Sequence, residues 1–247
     1  MLYKRLKNLA KNLHNSLTHF VYPAHCLYCH NFLPPAAPVL CHSCASELKL
    51  LDPIEHCQKC FNFNLEANHP ICHECLQRPS LFNKVGAAFN YEGPAAELVK
   101  QLKYYNQSYL AQGMAAFLVL QFDLLKWPLP DLIVPVPISK LHAIERGYNQ
   151  SALLAVHMQK MLKVSIDNKA LSHRSNTFSQ SSLTLVQRKN LATKSFVLNK
   201  KANVTDKIIL LIDDVMTSGL TLQRCAEALS AGGPKSIYGL TFCHTSP

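Results

Sequence analysis

Leu210-Leu211-Ile212-Asp213-Asp214-Val215-Met216-Thr217-Ser218-Gly219-Leu220-Thr221 is the stretch of this 247-residue chain from which its fold can be read. A continuous apolar run from about Lys207 predicts a buried strand ending on two adjacent carboxylates. Small hydroxyl residues around Gly219 predict a turn, and the spacing from Leu222 to Leu229 predicts a helix. Free backbone N–H groups at a helix start, the helix dipole and nearby hydroxyls form a seat for an anion such as phosphate. The carboxylate pair would repel that anion. It suits a second task beside it, accepting hydrogen bonds from sugar hydroxyls or holding Mg²⁺. Without such a task, two adjacent aspartates at a buried strand end are costly.

Working outward, the same alternation recurs. Val85 to Tyr91 reads as a strand, Glu92-Gly93-Pro94 as a turn, and Ala95 to Tyr104 and Ser108 to Leu125 as helices. Trp127-Pro128-Leu129-Pro130 breaks the second helix. Asp131 to Val136 is a second apolar strand, followed by Pro137 and a loop to Arg146. Arg146-Gly147-Tyr148-Asn149-Gln150-Ser151 opens a helix to about Leu162, and Val164 to Ile166 is a short strand. Arg174 to Leu183 is dominated by Ser, Thr, Gln and Asn and fits no regular element, which in a compact α/β domain marks a disordered or a functional segment. Gln187 to Thr193 reads as helical and Phe196 to Leu198 as strand-like; Gly232-Gly233-Pro234 stops the last helix before a final strand from Ser236 to Cys243. This order predicts an α/β fold with a mainly parallel sheet covered on both faces. Ligands on such sheets gather at the carboxyl ends of the strands, which directs attention to the loops after Val136 and Asp214. Cys225 and Cys243 fall within elements and read as core thiols.

The N-terminal third is of another kind. Four Cys-x-x-Cys pairs, Cys26/Cys29, Cys41/Cys44, Cys57/Cys60 and Cys72/Cys75, form two halves of the pattern C-x2-C-x11-C-x2-C, related by a shift of 31 positions. That is an internal duplication. Each pair presents two sulfurs to one ion, and two pairs complete a tetrahedral zinc site, so one or two structural zinc ions are expected, two being the simpler count. The linkers are too poor in core residues to fold without metal. Sequential grouping is simplest and interleaved sites remain open. The histidines crowding the pairs, among them His25, His30, His42, His56, His69 and His73, are read as surface or supporting groups. Residues 1–20 place Leu2, Leu6, Leu9, Leu13 and Leu17 on one helical face with basic residues around it, a basic amphipathic helix that packs on the protein's own body or docks on an anionic membrane or a partner. The expected domains are therefore 1–20, a double zinc ribbon at 21–79 and an α/β domain at 80–247.

The formal charge is +10; residues 81–247 hold 18 Lys/Arg against 10 Asp/Glu, so the surplus lies mainly in the α/β part and suits a polyanion, phosphorylated metabolite or nucleic acid. No transmembrane stretch or secretory signal is evident, and with metal-type cysteine spacing the expected setting is the reducing cytoplasm, with peripheral contact at the inner membrane as a further expectation.

The Leu210-to-Thr221 run resembles the phosphoribosyltransferase signature. Together with the cysteine ribbons, the Val134-Pro135-Val136-Pro137 strand end, the Arg146-to-Ser151 helix start and the polar run from Arg174 to Asn190, it makes the chain similar to the ComF family, also called GntX-like, of competence-associated proteins. The resemblance spans about Tyr22 to the C-terminus. It implies a double zinc ribbon joined to a type I phosphoribosyltransferase domain and a role in handling or transporting single-stranded DNA in natural transformation. It also implies phosphoribosyl pyrophosphate as ligand, with the ribose on Asp213 and Asp214, which would also be the catalytic pair, the 5′-phosphate on Thr217, Ser218, Gly219 and Thr221, and Val215 and Leu220 also lining the ligand. Pyrophosphate would lie on Pro137, Ile138, Ser139 and Lys140, with Arg146, and Arg174, Gln180 and Arg188 in a covering hood. Mg²⁺ would accompany the pyrophosphate. The alternatives are an active phosphoribosyltransferase acting on a nucleobase or amine, with Asp214 as its base, and an adaptor docking through residues 1–20 on membrane-bound DNA-uptake machinery. The chain departs from the family at His142, where arginine is common, and at residues 1–20, which precede its usual start.

Overall fold

The computed structural model describes residues 25–33, 39–63, 69–77, 80–173 and 195–245. The amphipathic run 1–20, the helix expected at Gln187 to Thr193, and the hood residues Arg174, Gln180 and Arg188 lie outside the described residues, and for Lys140 only the backbone is described. Two compact units form, Met1–Lys49 and Leu50–Pro247. Their boundary falls inside the stretch expected as one double ribbon, because the second cysteine half is built into the sheet's unit. Phe61, 1% exposed, joins the same core cluster as Phe82 and Val85. The Val85 N–H donates to the Gln58 carbonyl at 3.3 Å, and Lys59 Nζ donates to the Phe82 carbonyl at 3.0 Å.

Seven strands lie among the described residues: β1 Lys84–Asn90, β2 Leu132–Pro135, β3 Ser165–Ile166, β4 Leu171–His173, β5 Phe196–Leu198, β6 Ile208–Met216 and β7 Ser236–His244. Five make a parallel sheet in the order β1-β7-β6-β2-β3, while β4 and β5 pair antiparallel at its side. The apolar run takes the centre as β6: Ile209, Leu210, Leu211 and Ile212 are at most 1% exposed, as a strand covered on both faces requires. On one face Ile209 and Leu211 cluster with Leu222, Cys225, Ala226 and Leu229 of the helix Leu220–Ser230. Leu210 and Ile212 alternate to the opposite side. The helix Gln150–Leu162 packs on β2 and β6, and the helix Leu110–Leu124 on β1 and β7.

Two elements differ from the sequence expectation. β6 does not stop at the acidic pair but runs on to Met216, since β7 continues beside it with Val215 paired to Cys243 and Met216 to His244. The supposed loop to Arg146 holds a helix, Lys140–Arg146. Ser139 caps its start by accepting from the His142 N–H at 3.2 Å, and Gly147, at φ 75°, closes it in a left-handed conformation that glycine adopts without strain. Among the described residues no helix is long and apolar enough to cross a membrane.

Candidate functional site

The head of β6 concentrates charge. Asp213 Oδ1 accepts from Ser151 Oγ at 2.8 Å and from the Asp214 N–H at 2.9 Å. Asp214, 6% exposed, faces Lys103 Nζ at 2.8 Å, a lysine delivered by the last turn of the helix Gly93–Tyr104. Burial and then the Asp214 charge push the Asp213 carboxyl up to about 7, against the opposing pull of the Ser151 hydrogen bond and Lys103. Burial alone would lower the Lys103 ammonium, but the two aspartates outweigh it and its pKa ends above the ordinary value. The pair is therefore unequal: one carboxylate is held by a cation, and its neighbour can gain or lose a proton near neutrality.

Beyond β6 the chain turns through exposed Thr217 and Ser218 to Gly219, whose φ of 71° sets it as the residue before the helix Leu220–Ser230. No side chain caps that helix, so its first N–H groups stand open toward the loop, with exposed Thr221 in the first turn. The second expected loop springs from the neighbouring strand: Val136 N–H donates to the Ile212 carbonyl at 2.9 Å, which brings Pro137, Ile138 and Ser139 to the same end of the sheet as Asp213. Asn149 serves the backbone, donating to the Val136 carbonyl at 2.9 Å and capping the helix Gln150–Leu162. Arg146 donates to Gln150 Oε1 at 3.3 Å and lies 5.3 Å from the centre of the Tyr104 ring. A cavity of about 610 Å³, bordered by Lys103, Tyr104, His142 and Arg146, adjoins the acidic pair through Lys103.

Lys103 and Ser151 were not among the residues expected at the site. Ser151 stood in a quoted motif as a helix opener. Lys103 lies far from Asp214 in sequence, and its partial burial at the end of a helix is visible only once the chain is folded.

The cysteines resolve into two quartets, Cys26, Cys29, Cys41, Cys44 and Cys57, Cys60, Cys72, Cys75, with all sulfurs of each within 4.8 Å of one another. The grouping is sequential. Cys29 and Cys41 sulfurs are 3.6 Å apart, and Cys60 and Cys72 sulfurs 3.8 Å. Four sulfurs at about 2.3 Å from a tetrahedral ion stand roughly 3.8 Å apart, so either quartet could hold zinc. The duplication is repeated bond for bond: Cys26 N–H donates to the Asn31 carbonyl as Cys57 does to Asn62, and His30 N–H to Cys26 as Phe61 does to Cys57. His30 and Phe61 both take φ 60°. Each half also holds one low thiol. Backbone N–H donors overcome burial to bring Cys26 to about 6, and a hydrogen bond from Cys60 leads those holding Cys57 at about 4. Burial pushes Cys225 and Cys243 up, as befits core thiols.

The phosphoribosyl transferase domain family model matches residues 147–245. The DNA utilization protein YhgH of Escherichia coli strain K12 is 28% identical over 174 residues, 69% of this chain and 76% of that protein. Competence protein F of Haemophilus influenzae is 27% identical over 217 residues, 86% of this chain and 93% of that one. Over most of its length the chain is thus similar to these competence and DNA-utilization proteins. A hypoxanthine-guanine phosphoribosyltransferase of Bacillus anthracis overlays at 18% identity and TM-score 0.36 on 55% of this chain and 68% of that one. The fold class rests on the strand order and the family model: a parallel-sheet α/β domain of phosphoribosyltransferase type, with cysteine modules before it. The matched region holds the acidic pair and the loop after it. Lys103, the Tyr104 ring and both cysteine quartets precede it in sequence.

Proposed function

We propose that this ComF-like chain binds phosphoribosyl pyrophosphate at the head of β6 and single-stranded DNA on the adjoining basic, aromatic surface, and handles incoming DNA in natural transformation. One observation carries the reading: the end of the helix Gly93–Tyr104 serves both surfaces at once. Lys103 meets Asp214, while Tyr104, 66% exposed, lies by the Arg146 guanidinium with Tyr105 and Tyr109 exposed nearby in the chain. Exposed aromatic rings next to Lys100, Lys103 and Arg146 match what a sequence-tolerant single-strand surface needs, π faces for bases and cations for phosphates. Tyr148 does not belong to this set: its hydroxyl donates to the Leu102 carbonyl at 2.7 Å and steadies the helix end. The names of the relatives and the basic surplus of residues 81–247 support the DNA half of the reading.

In the bound state the ribose hydroxyls would donate to Asp213 and Asp214, the 5′-phosphate would take the open N–H groups and hydroxyls of Thr217 to Thr221, and the pyrophosphate would lie toward Pro137, Ile138 and Ser139, with Arg146 at the rim. Mg²⁺, when bound, would neutralise the pyrophosphate charge. Fluorescence anisotropy of a labelled oligothymidylate across a salt series, with and without phosphoribosyl pyrophosphate and Mg²⁺, tests the reading. Binding that weakens with salt supports it, and no binding at low salt ends it.

A second reading, phosphoribosyl transfer to a nucleobase or amine, is favoured by Asp213. Asp214 is occupied by Lys103, so the carboxyl that can take a proton from an incoming nucleophile near pH 7 is Asp213 rather than Asp214. Release of pyrophosphate from labelled phosphoribosyl pyrophosphate in the presence of an acceptor, lost in Asp213→Asn, would establish it.

A further inference from the structure

The helix Leu110–Leu124 is apolar on both of its sides. Leu110, Ala111, Met114, Ala115, Leu118 and Phe122 are at most 7% exposed, buried against the sheet and the helix Gln150–Leu162, which accounts for one side. The other side meets solvent. Gly113, Ala116, Leu120 and Leu124 follow one another at spacings of three and four and line up as a single stripe. Leu120 is 55% exposed and Leu124 47%, and nothing lies within 4 Å of the place a side chain at Gly113 would take. The other long helices on the sheet carry polar groups outward: Glu97 and Lys100 on one, Gln159 and Lys160 on another, Gln223 and Glu227 on the third. Here the stripe is flanked only by Gln112 and Asp123. Ile54, 90% exposed, extends the apolar surface past the helix end, since Pro53 beside it shares a small cleft with Leu125 and Trp127.

The stripe is also graded, small at its start and large at its end. Two such helices, laid antiparallel across a two-fold axis between Ala116 and Leu120, set Leu124 of each over Gly113 of the other and Leu120 over Ala116. Every large side chain then meets a space, whereas a parallel pairing would set leucine on leucine and leave the small ends empty. Charge agrees with the antiparallel arrangement, because the two Asp123 carboxylates fall at opposite ends of the contact, roughly 15 Å apart along the helices, where salt screens their repulsion. Asp123 is the one charge on the stripe and its flanks and already stands 3.4 Å from Lys126, so the face has little to draw a strongly charged partner, the basic run at residues 1–20 included. We propose that the outer face of the helix Leu110–Leu124 is a self-association surface, and that its occupant is the same face of a second copy of this chain. A contact built from one helix and Ile54 on each side is small beside that of a permanent dimer, so the association depends on concentration. Asp213 and Asp214 lie outside the stripe, and each associated pair therefore carries two of these acidic sites.

The test is sedimentation velocity on the full chain from about 1 to about 100 μM, a range suited to small interfaces. Gly113→Leu has room within the single copy and Leu120→Glu alters an exposed side chain, and unchanged far-ultraviolet spectra and melting temperatures verify that both variants fold. Wild type should move toward twice the mass of one chain as concentration rises, with association weakened about tenfold or more in each variant. Combining Gly113→Leu with Leu124→Ala exchanges the large and small positions and should restore pairing, a rescue that requires the face to meet its own copy. A wild type that stays single over the whole range overturns the proposal, as does association that both single variants leave unchanged. Association that emerges only when residues 2–20 are deleted assigns the face to that leucine-striped segment and overturns the proposal as well.

Discussion

Asp213 and Asp214 are adjacent in sequence yet differ in kind. Asp214 has a cation at 2.8 Å, whereas Asp213 has neutral donors and a like charge beside it. A carboxyl held at about 7 in the folded chain and near 4 when unfolded binds more protons folded than unfolded between those values, so its contribution favours folding at low pH and is lost as pH rises from about 4 to 7. Asp213→Asn keeps an oxygen for the Ser151 and Asp214 donors and removes the charge. Thermal melts should find the variant more stable than wild type at pH 8, by on the order of 1–3 kcal/mol, with the gap closing toward pH 5. Lys103→Met should act the other way, leaving Asp214 buried and unpaired at a cost of about 2–3 kcal/mol in denaturant unfolding. Adding Asp214→Asn to Lys103→Met should recover most of that loss, which separates charge pairing from packing.

At the scale of elements, β6, the mainly parallel sheet and the four cysteine pairs were legible because each rests on local pattern: an unbroken apolar run, strand and helix alternation, and fixed ligand spacing; the grouping into two sequential quartets came only with the fold. What stayed hidden depends on contacts between distant segments. The continuation of β6 past Asp214 needs β7 alongside, and the attachment of the second cysteine half to the sheet needs Phe61 in the common core. The short helix Lys140–Arg146 is a different case, since Ser139 and Gly147 are ordinary cap residues that the proline-rich strand end before them obscured. The unequal attachment of the quartets has a measurable result. Cys57→Ser should lower the melting transition of the sheet, by several degrees or more, because a lost ligand there loosens a segment that contributes Phe61 to the core. Cys26→Ser should leave that transition in place, as monitored by Trp127 fluorescence beside Tyr238 and Phe122.

For the molecule as a whole, the charge surplus gives the proposed DNA surface a quantitative signature. If Lys100 and Arg146 each meet one phosphate, Lys103 being held by Asp214, the logarithm of single-strand affinity should fall with the logarithm of salt concentration at a slope of roughly −1.4. Lys100 is half exposed and pairs only loosely with Glu97, so Lys100→Ala should reduce the slope by about 0.7 and leave phosphoribosyl pyrophosphate binding unchanged. The location of the positive charge was readable from counts alone. That one helix end would join it to the acidic pair was not, since Lys103, Tyr104 and Arg146 meet only when the helices Gly93–Tyr104 and Lys140–Arg146 come together at the head of the sheet.

The repeated cysteine half supplies this chain with an internal standard. Two copies of one loop share their hydrogen bonds, their positive-φ turn and their four sulfurs, but where the first has a histidine the second has a buried phenylalanine. Any difference between them in metal exchange or thiol reactivity, followed in a single sample under a single buffer, therefore tracks what being built into a sheet's core does to a metal loop, with ligand set and spacing held constant by the protein itself.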